Sequence, residues 1–224
     1  MNLLVFLGSV RDSTPPKPPR LGQRVALACT RYLQAANADK EVQVEIIDPL
    51  DYLLDPVFKP HFSYPKGQAP EHLERLAAKI KAADGYVMVS PEYNHVMSPA
   101  LMHLLNHFGN ALFSFKPSAI VTYSGGQCGG MRAAVNMRTC LSELGCLPVS
   151  AMIHIPKAQD VFEENGRYQA SVDQVAWHNY LARTFTQLHW WATATKAHRA
   201  QSNPAKLTSP FVSPDERNAP DAYA

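Results

Sequence analysis

Short apolar runs that alternate with segments of helical spacing dictate what this chain can fold into. Residues 3–7 (LLVFL), 85–90 (GYVMVS) and 118–123 (SAIVTY) are nearly continuous apolar stretches, as expected of strands covered on both faces. Residues 42–47 (VQVEII) alternate and are rich in β-branched side chains, which predicts another strand, and 147–155 supplies a fifth. Between these runs, Leu21, Val25, Ala28, Cys29 and Leu33 recur at helical spacing over 21–36. Leu73, Leu76, Ala77 and Ile80 do the same over 70–83, behind a proline near the first turn. Further helices are predicted at 99–112 after Ser98-Pro99, at 129–144 before Gly145, and at 172–198. Strand–helix alternation selects a parallel sheet with right-handed crossovers. The fold class is therefore α/β, a doubly wound five-stranded sheet of order 2-1-3-4-5.

The remaining segments bound the domain. Residues 48–67 hold four prolines and several aromatics, a long surface excursion with local packing. Residues 1–200 read as one domain, and 201–224 turn to Ser, Asn and Pro with little apolar content, a tail or arm. A net charge of +2 is too small to indicate nucleic acid or an anionic membrane as partner. No apolar stretch reaches the roughly 20 residues of a membrane span. Cys29, Cys128, Cys140 and Cys146 form no CxxC pair, and the start lacks a basic region or a small-residue cleavage site. Reduced thiols in a cytoplasmic protein are the expectation.

In such a sheet a ligand sits outside the carboxyl ends of the strands, where strand order reverses. Three loops lie there. The first, GSVRDST, has a glycine to turn off the strand, hydroxyls on Ser9, Ser13 and Thr14, and the Arg11 guanidinium. Neither GxGxxG nor GxxxxGK[ST] is present, so the loop suits a monophosphate better than a diphosphate. The second, PEYNHVMSP, offers the flat face of Tyr93 and the donor and acceptor of Asn94. The third, SGGQCGG, has four glycines in seven residues, which lets backbone approach a planar ring.

GSVR, PEYN and SGGQCGG, in this order and each after a strand, resemble the three flavin-contacting loops of the NADPH-dependent FMN reductase family. That family includes quinone, azo-dye and chromate reductases and the arsenic-resistance flavoproteins. The likeness runs from about residue 3 to residue 156. It implies a flavodoxin-like fold, bound FMN, and NADPH or NADH as co-substrate. The implied reaction is ping-pong: a hydride passes through FMN to a small-molecule electron acceptor such as a quinone or free flavin. Carried over residue by residue, Ser9, Arg11 and Ser13 hold the FMN phosphate. Pro91, Glu92, Tyr93 and Asn94 line the ring and ribityl chain, and Ser124, Gly125 and Gly126 give N–H groups to the pyrimidine side. The flavin carries the chemistry, so no catalytic acid–base residue is assigned. Flavin loops that one subunit covers poorly, and the apolar surface of the His- and Phe-bearing helix from Pro99, predict a homodimer or tetramer.

Two stretches depart from the family pattern. STPPKPPR lengthens the phosphate loop and leaves open which of Ser13, Thr14 and Arg20 meets phosphate. LMHLLNHFG replaces the frequent LKNAID. Arg20 and Arg132 are candidates for a nicotinamide 2′-phosphate. His103 and His107, at i and i+4 with His95 upstream, read as a polar interface face, and no metal site is assigned. Cys128 reads as a loop filler, and Trp177, Trp190 and Trp191 as core or subunit packing. Asp12, Asp48 and Asp51 form no paired-carboxylate site. Two other flavin roles share these loops: a flavodoxin-type electron carrier, and a non-catalytic redox-regulatory protein.

Overall fold

Residues 1–36, 42–52, 54–55, 57–202 and 204 are described by a computed structural model. Most of the sequence-predicted tail at 201–224 thus lies outside the described residues. In chain order the main elements are β1 (Asn2–Leu7), α1 (Leu21–Ala35), β2 (Gln43–Ile47), α2 (Glu71–Ala82), β3 (Gly85–Tyr93) and β4 (Val96–Met97). Then follow α3 (Pro99–Asn106), β5 (Pro117–Tyr123), α4 (Met131–Glu143), β6 (Leu147–Pro148), β7 (Ile153–Ile155), α5 (Ala158–Val161) and α6 (Gln174–Gln201).

The sheet runs β2-β1-β3-β5-β6, with β7 also on β5 and β4 paired to β3. With the β3–β4 hairpin set aside, this is the expected order. Val5 of β1 stands beside Ile46 of β2 and Val87 of β3, and Val87 beside Ala119 of β5, all in parallel. The period of two along β1 divides its side chains between two cores. Leu3, Val5 and Leu7 face α1 and α6, where Val25, Cys29, Leu181, Phe185 and Leu188 are buried. Leu4 and Phe6 face α2, α3 and α4, with Leu76, Ile80, Leu104 and Met137. Every residue of β5 is buried, whereas edge strand β2 alternates, as its sequence predicts. At the amino edge, the Asp84 carboxylate accepts from Lys196 Nζ at 2.9 Å and Arg199 Nη2 at 3.1 Å, tying α6 to the sheet. Among the described residues no helix is long and apolar enough to cross a membrane.

Several element boundaries differ from expectation. The helix predicted at 99–112 ends at Asn106, because extended Gly109 breaks it before a single 3-10 turn, Asn110–Leu112. The helix predicted from 129 begins at Met131, since Gly129 and Gly130 hold φ of +61° and +78°, left-handed values no helix accepts. The fifth strand is two short pieces rather than one run over 147–155. Between them Ala151 N turns away to Gln187 Oε1 at 3.3 Å. Arg138 takes the carbonyls of Pro148, Val149 and Ser150 at 3.3, 2.8 and 3.0 Å. Helix α5 and the Phe162–Tyr168 bridge were not expected, since nothing periodic marks residues 156–171.

Candidate functional site

Strands β1, β3 and β5 are neighbours and parallel, so the loops at 8–20, 91–98 and 124–130 emerge side by side at the carboxyl edge. A cleft of about 670 Å³ opens there, lined by Gly8, Ser9, Val10 and Arg11 on one side and by Glu92, Tyr93, Asn94 and the Ser98–Pro99–Ala100 start of α3 on the other. That volume falls within the range of small-molecule sites.

The first loop is built around close approach. Gly8 N donates to Val89 O at 2.7 Å, and a Cβ on Gly8 would lie 2.7 Å from that oxygen and 3.0 Å from Ser98 Oγ. Only glycine fits. Ser9 is buried, and its hydroxyl meets the Tyr123 phenol, which burial keeps well above its ordinary range and therefore neutral. Arg20 turns inward: its guanidinium donates to Ser9 O and pairs with both oxygens of the Asp48 carboxylate. It is thus engaged as a strut beneath the loop. Asp12 accepts from Thr14 N at 2.9 Å and pairs with Lys17, and that pairing above all holds its carboxyl down at about 2. Arg11 is exposed at the rim, whereas Ser13 is half-buried further along and does not line the cleft.

The second loop is less a loop than expected. Strand β3 continues through Pro91, Glu92 and Tyr93, and Glu92 and Tyr93 pair with Met97 and Val96 of β4. The hairpin turns at Asn94 and His95, with φ of 50° and 67°, the two positive values of a type I′ turn. Pro91 is buried, and Tyr93 and Asn94 are exposed in the cleft. The Glu92 carboxylate reaches instead to the start of α4, accepting from Arg132 N at 3.1 Å and Ala133 N at 3.3 Å. The Arg132 guanidinium stands 3.5 Å from it. Two serines, Ser90 and Ser98, lock the hairpin to α3. Ser90 Oγ accepts from Ser98 N at 2.9 Å, and Ser98 Oγ caps the helix by accepting from Leu101 N at 3.1 Å. Ser98-Pro99, expected from the sequence to start this helix, is that cap.

The third loop lies beside the cleft, on the β5 side, and its first three carbonyls are taken. Ser124 O accepts from Ala158 N at 3.0 Å, Gly126 O from Lys157 N at 2.8 Å, and Gly125 O from Gln159 Nε2 at 3.2 Å. A trans peptide points its N–H opposite its C=O, so the amides of Gly125, Gly126 and Gln127 face away from α5. Ser124 Oγ accepts from Gly129 N at 2.9 Å and donates to Gly126 O at 2.8 Å, which fixes the loop further. The glycines divide into two kinds. A Cβ on Gly130 would lie 2.9 Å from Thr122 Cβ, but one on Gly126 would meet nothing within 4 Å, and one on Gly125 only Leu21 and Gln159 at 3.7 and 3.9 Å. Nothing in the chain's own packing requires glycine at 125 or 126. Cys128 is exposed and unpaired in a disulfide.

The histidine pair belongs to packing rather than to this edge. His107 is buried and stacks on Phe58 with ring centroids 5.0 Å apart, and His103 lies 4.7 Å from it. Among the described residues no group of three or more His, Cys, Asp or Glu is placed to hold a metal ion. Trp177 packs against the α1–α6 core, while Trp190 and Trp191 are exposed.

The model of a protein family described as NADPH-dependent FMN reductase matches residues 1–160. An NADPH azoreductase of a Bacillus species is 38% identical over 72 residues, 32% of this chain and 40% of that protein. An NAD(P)H-dependent FMN reductase of Pseudomonas aeruginosa is 33% identical over 102 residues, 44% of this chain and 55% of that protein. The chain thus spans about half or less of the length of these two relatives. Among solved structures, a flavoenzyme NAD(P)H:(acceptor) oxidoreductase of Paracoccus denitrificans superposes with a TM-score of 0.63 at 18% identity. That superposition covers 86% of this chain and 97% of the other, a likeness of fold.

Proposed function

The chain belongs to the NADPH-dependent FMN reductase family, and from that premise we propose that it is an FMN-dependent NAD(P)H oxidoreductase reducing small-molecule acceptors such as quinones or free flavin. One observation carries this reading. A loop with an exposed guanidinium and a hydroxyl lies on the same sheet edge as a loop whose amides face outward from glycines that the fold itself does not need.

The donor set fits a flavin mononucleotide. Ser9, Arg11 and Ser13 would hold the phosphate, with Ser13 reaching in from beyond the cleft wall. Pro91, Tyr93 and Asn94 would line the ring and ribityl chain. Glu92 joins them through its backbone, its carboxylate being committed to α4. Gly125 and Gly126 would present N–H groups to the pyrimidine edge, where negative charge develops on reduction, whereas the Ser124 N–H, expected beside them from the sequence, is donated to Ile155 O at 3.0 Å. When bound, FMN supplies reversible two-electron hydride uptake, so that nicotinamide and acceptor use one place in turn. The chain's work is to bind, orient and leave one ring face open. No acid–base dyad is needed for that. A cytoplasmic setting and a homodimer or tetramer belong to the same proposal.

The test is steady-state oxidation of NADPH and NADH by the purified, FMN-loaded protein, with and without a benzoquinone. Saturable turnover with parallel double-reciprocal lines is the expected result. Tight flavin with negligible turnover would replace this reading by the redox-regulatory one. The electron carrier is disfavoured by the net charge of +2, since such carriers are strongly acidic.

A further inference from the structure

A second cavity, of about 400 Å³, opens between the outer face of α1, the turn at 163–167 and the start of α6. It is remote from the flavin edge. Leu21, whose side chain stands 3.7 Å from a Cβ placed on Gly125, opens α1, and the cavity begins at Ala28 and continues past Tyr32. At 1.5 Å per residue that is about 10–16 Å further along the helix.

Its walls are fixed by the fold. Gly166, at φ +79°, presses against α1 so closely that a Cβ there would lie 2.6 Å from Ala28 N. Glu163 N donates to Arg167 O at 2.8 Å, and Arg167 N donates to Asn165 Oδ1 at 2.8 Å, closing the turn. The lining is aromatic and cationic. Tyr32 packs on His178 and Phe185, with centroids 4.7 and 5.2 Å away, and Tyr168 packs on Phe162 at 5.4 Å. Arg31 is held by its Nε, which donates to Asn165 O at 2.8 Å, and this steadies the rest of the guanidinium. Against Arg31 and Arg167 stands one carboxylate, Glu163, which already accepts from Asn165 Nδ2 at 3.1 Å. Two cations facing one engaged anion leave the cavity positive.

We propose that this cavity is a second small-molecule site, taking a planar aromatic carboxylate or sulfonate between Tyr32 and Tyr168 with its anionic group on Arg31 and Arg167. Stacking on the tyrosine rings supplies the apolar contact, and the guanidinium forks match the planar anion. Burial raises the phenols of both tyrosines, Tyr168 to about 12, so they stay neutral donors wherever such an acid is ionised.

The test is ligand-observed NMR titration of the full chain with 2-naphthoate, and with 2-naphthamide as its neutral counterpart, in the absence and presence of saturating FMN. The expected result is saturable naphthoate binding that persists with FMN, and an amide weaker by at least about tenfold. Arg167→Gln, at an exposed side chain, should weaken naphthoate by about tenfold while leaving FMN affinity unchanged, and Arg31→Gln should do at least as much. Absence of saturable binding, displacement of naphthoate by FMN, or equal affinity in Arg167→Gln would each overturn the proposal.

Discussion

Single atoms decide most at the site. If Arg11 holds the phosphate, Arg11→Ala should weaken FMN binding by about 1.5–3 kcal/mol, the worth of a charge-assisted hydrogen bond. A flavin-fluorescence titration that finds equal affinity would remove Arg11 from the site. The glycines offer a sharper contrast. Gly126→Ala meets nothing within 4 Å, so its stability should stay within about 0.5 kcal/mol of the parent while FMN affinity falls several-fold. Gly130→Ala should instead destabilise the fold by about 1–3 kcal/mol through its positive φ and the Thr122 contact. Undiminished FMN affinity in Gly126→Ala would show that no ligand approaches there. At the end of α3, His107 couples stability to pH. Burial, then the charges of His103 and His72, push its imidazole down to about 4. The unfolded chain takes up that proton near pH 6.5, so between there and about 4 the unfolded state binds more protons and stability falls as pH is lowered. The loss reaches on the order of 3 kcal/mol across the window. Urea midpoints from pH 7 down to about 4.5 should decline in the parent, and decline less in His107→Gln. A flat parent profile would contradict the assignment.

At the level of elements, the Glu92 carboxylate at the end of β3 caps α4 across 40 residues of sequence. Glu92→Gln removes the charge at the helix start and should cost about 0.5–1 kcal/mol. It should also speed hydrogen exchange at the Arg132 and Ala133 amides, and unchanged exchange there would show the cap to be idle. This contact marks the boundary of what could be read beforehand. Runs such as 3–7, 85–90 and 118–123 were legible because strands buried on both faces must be apolar throughout, whatever surrounds them. The loop motifs were legible because glycine frees, and proline fixes, the backbone at its own position. Glu92, Arg20 and Arg138 were not, because each serves a partner that only the assembled fold brings near. Arg20 meets Asp48 beyond the end of β2, and Arg138 interrupts the last strand by taking three of its carbonyls. The same holds for residues 156–171, whose order comes from clasping the glycine loop at 157–159 and from pressing Gly166 onto α1 rather than from any period of their own.

The molecule as a whole leaves apolar surface outside both cores. Phe58 and Phe62 beside α3 are 50% and 61% exposed, and Trp190 on α6 is 60% exposed. Closed symmetric association is the common fate of such surfaces. Light scattering at micromolar concentration should return the mass of a dimer or tetramer, and a monomer would contradict the expectation. The clasp between residues 157–159 and the glycine loop has a kinetic consequence. Because those hydrogen bonds form when the sheet forms, the loop's conformational entropy is already lost before any flavin arrives. The proposed flavin then meets a rigid mould. Its capture would be timed by diffusion and steering rather than by closure of a lid, and its residence time by how many contacts must break together.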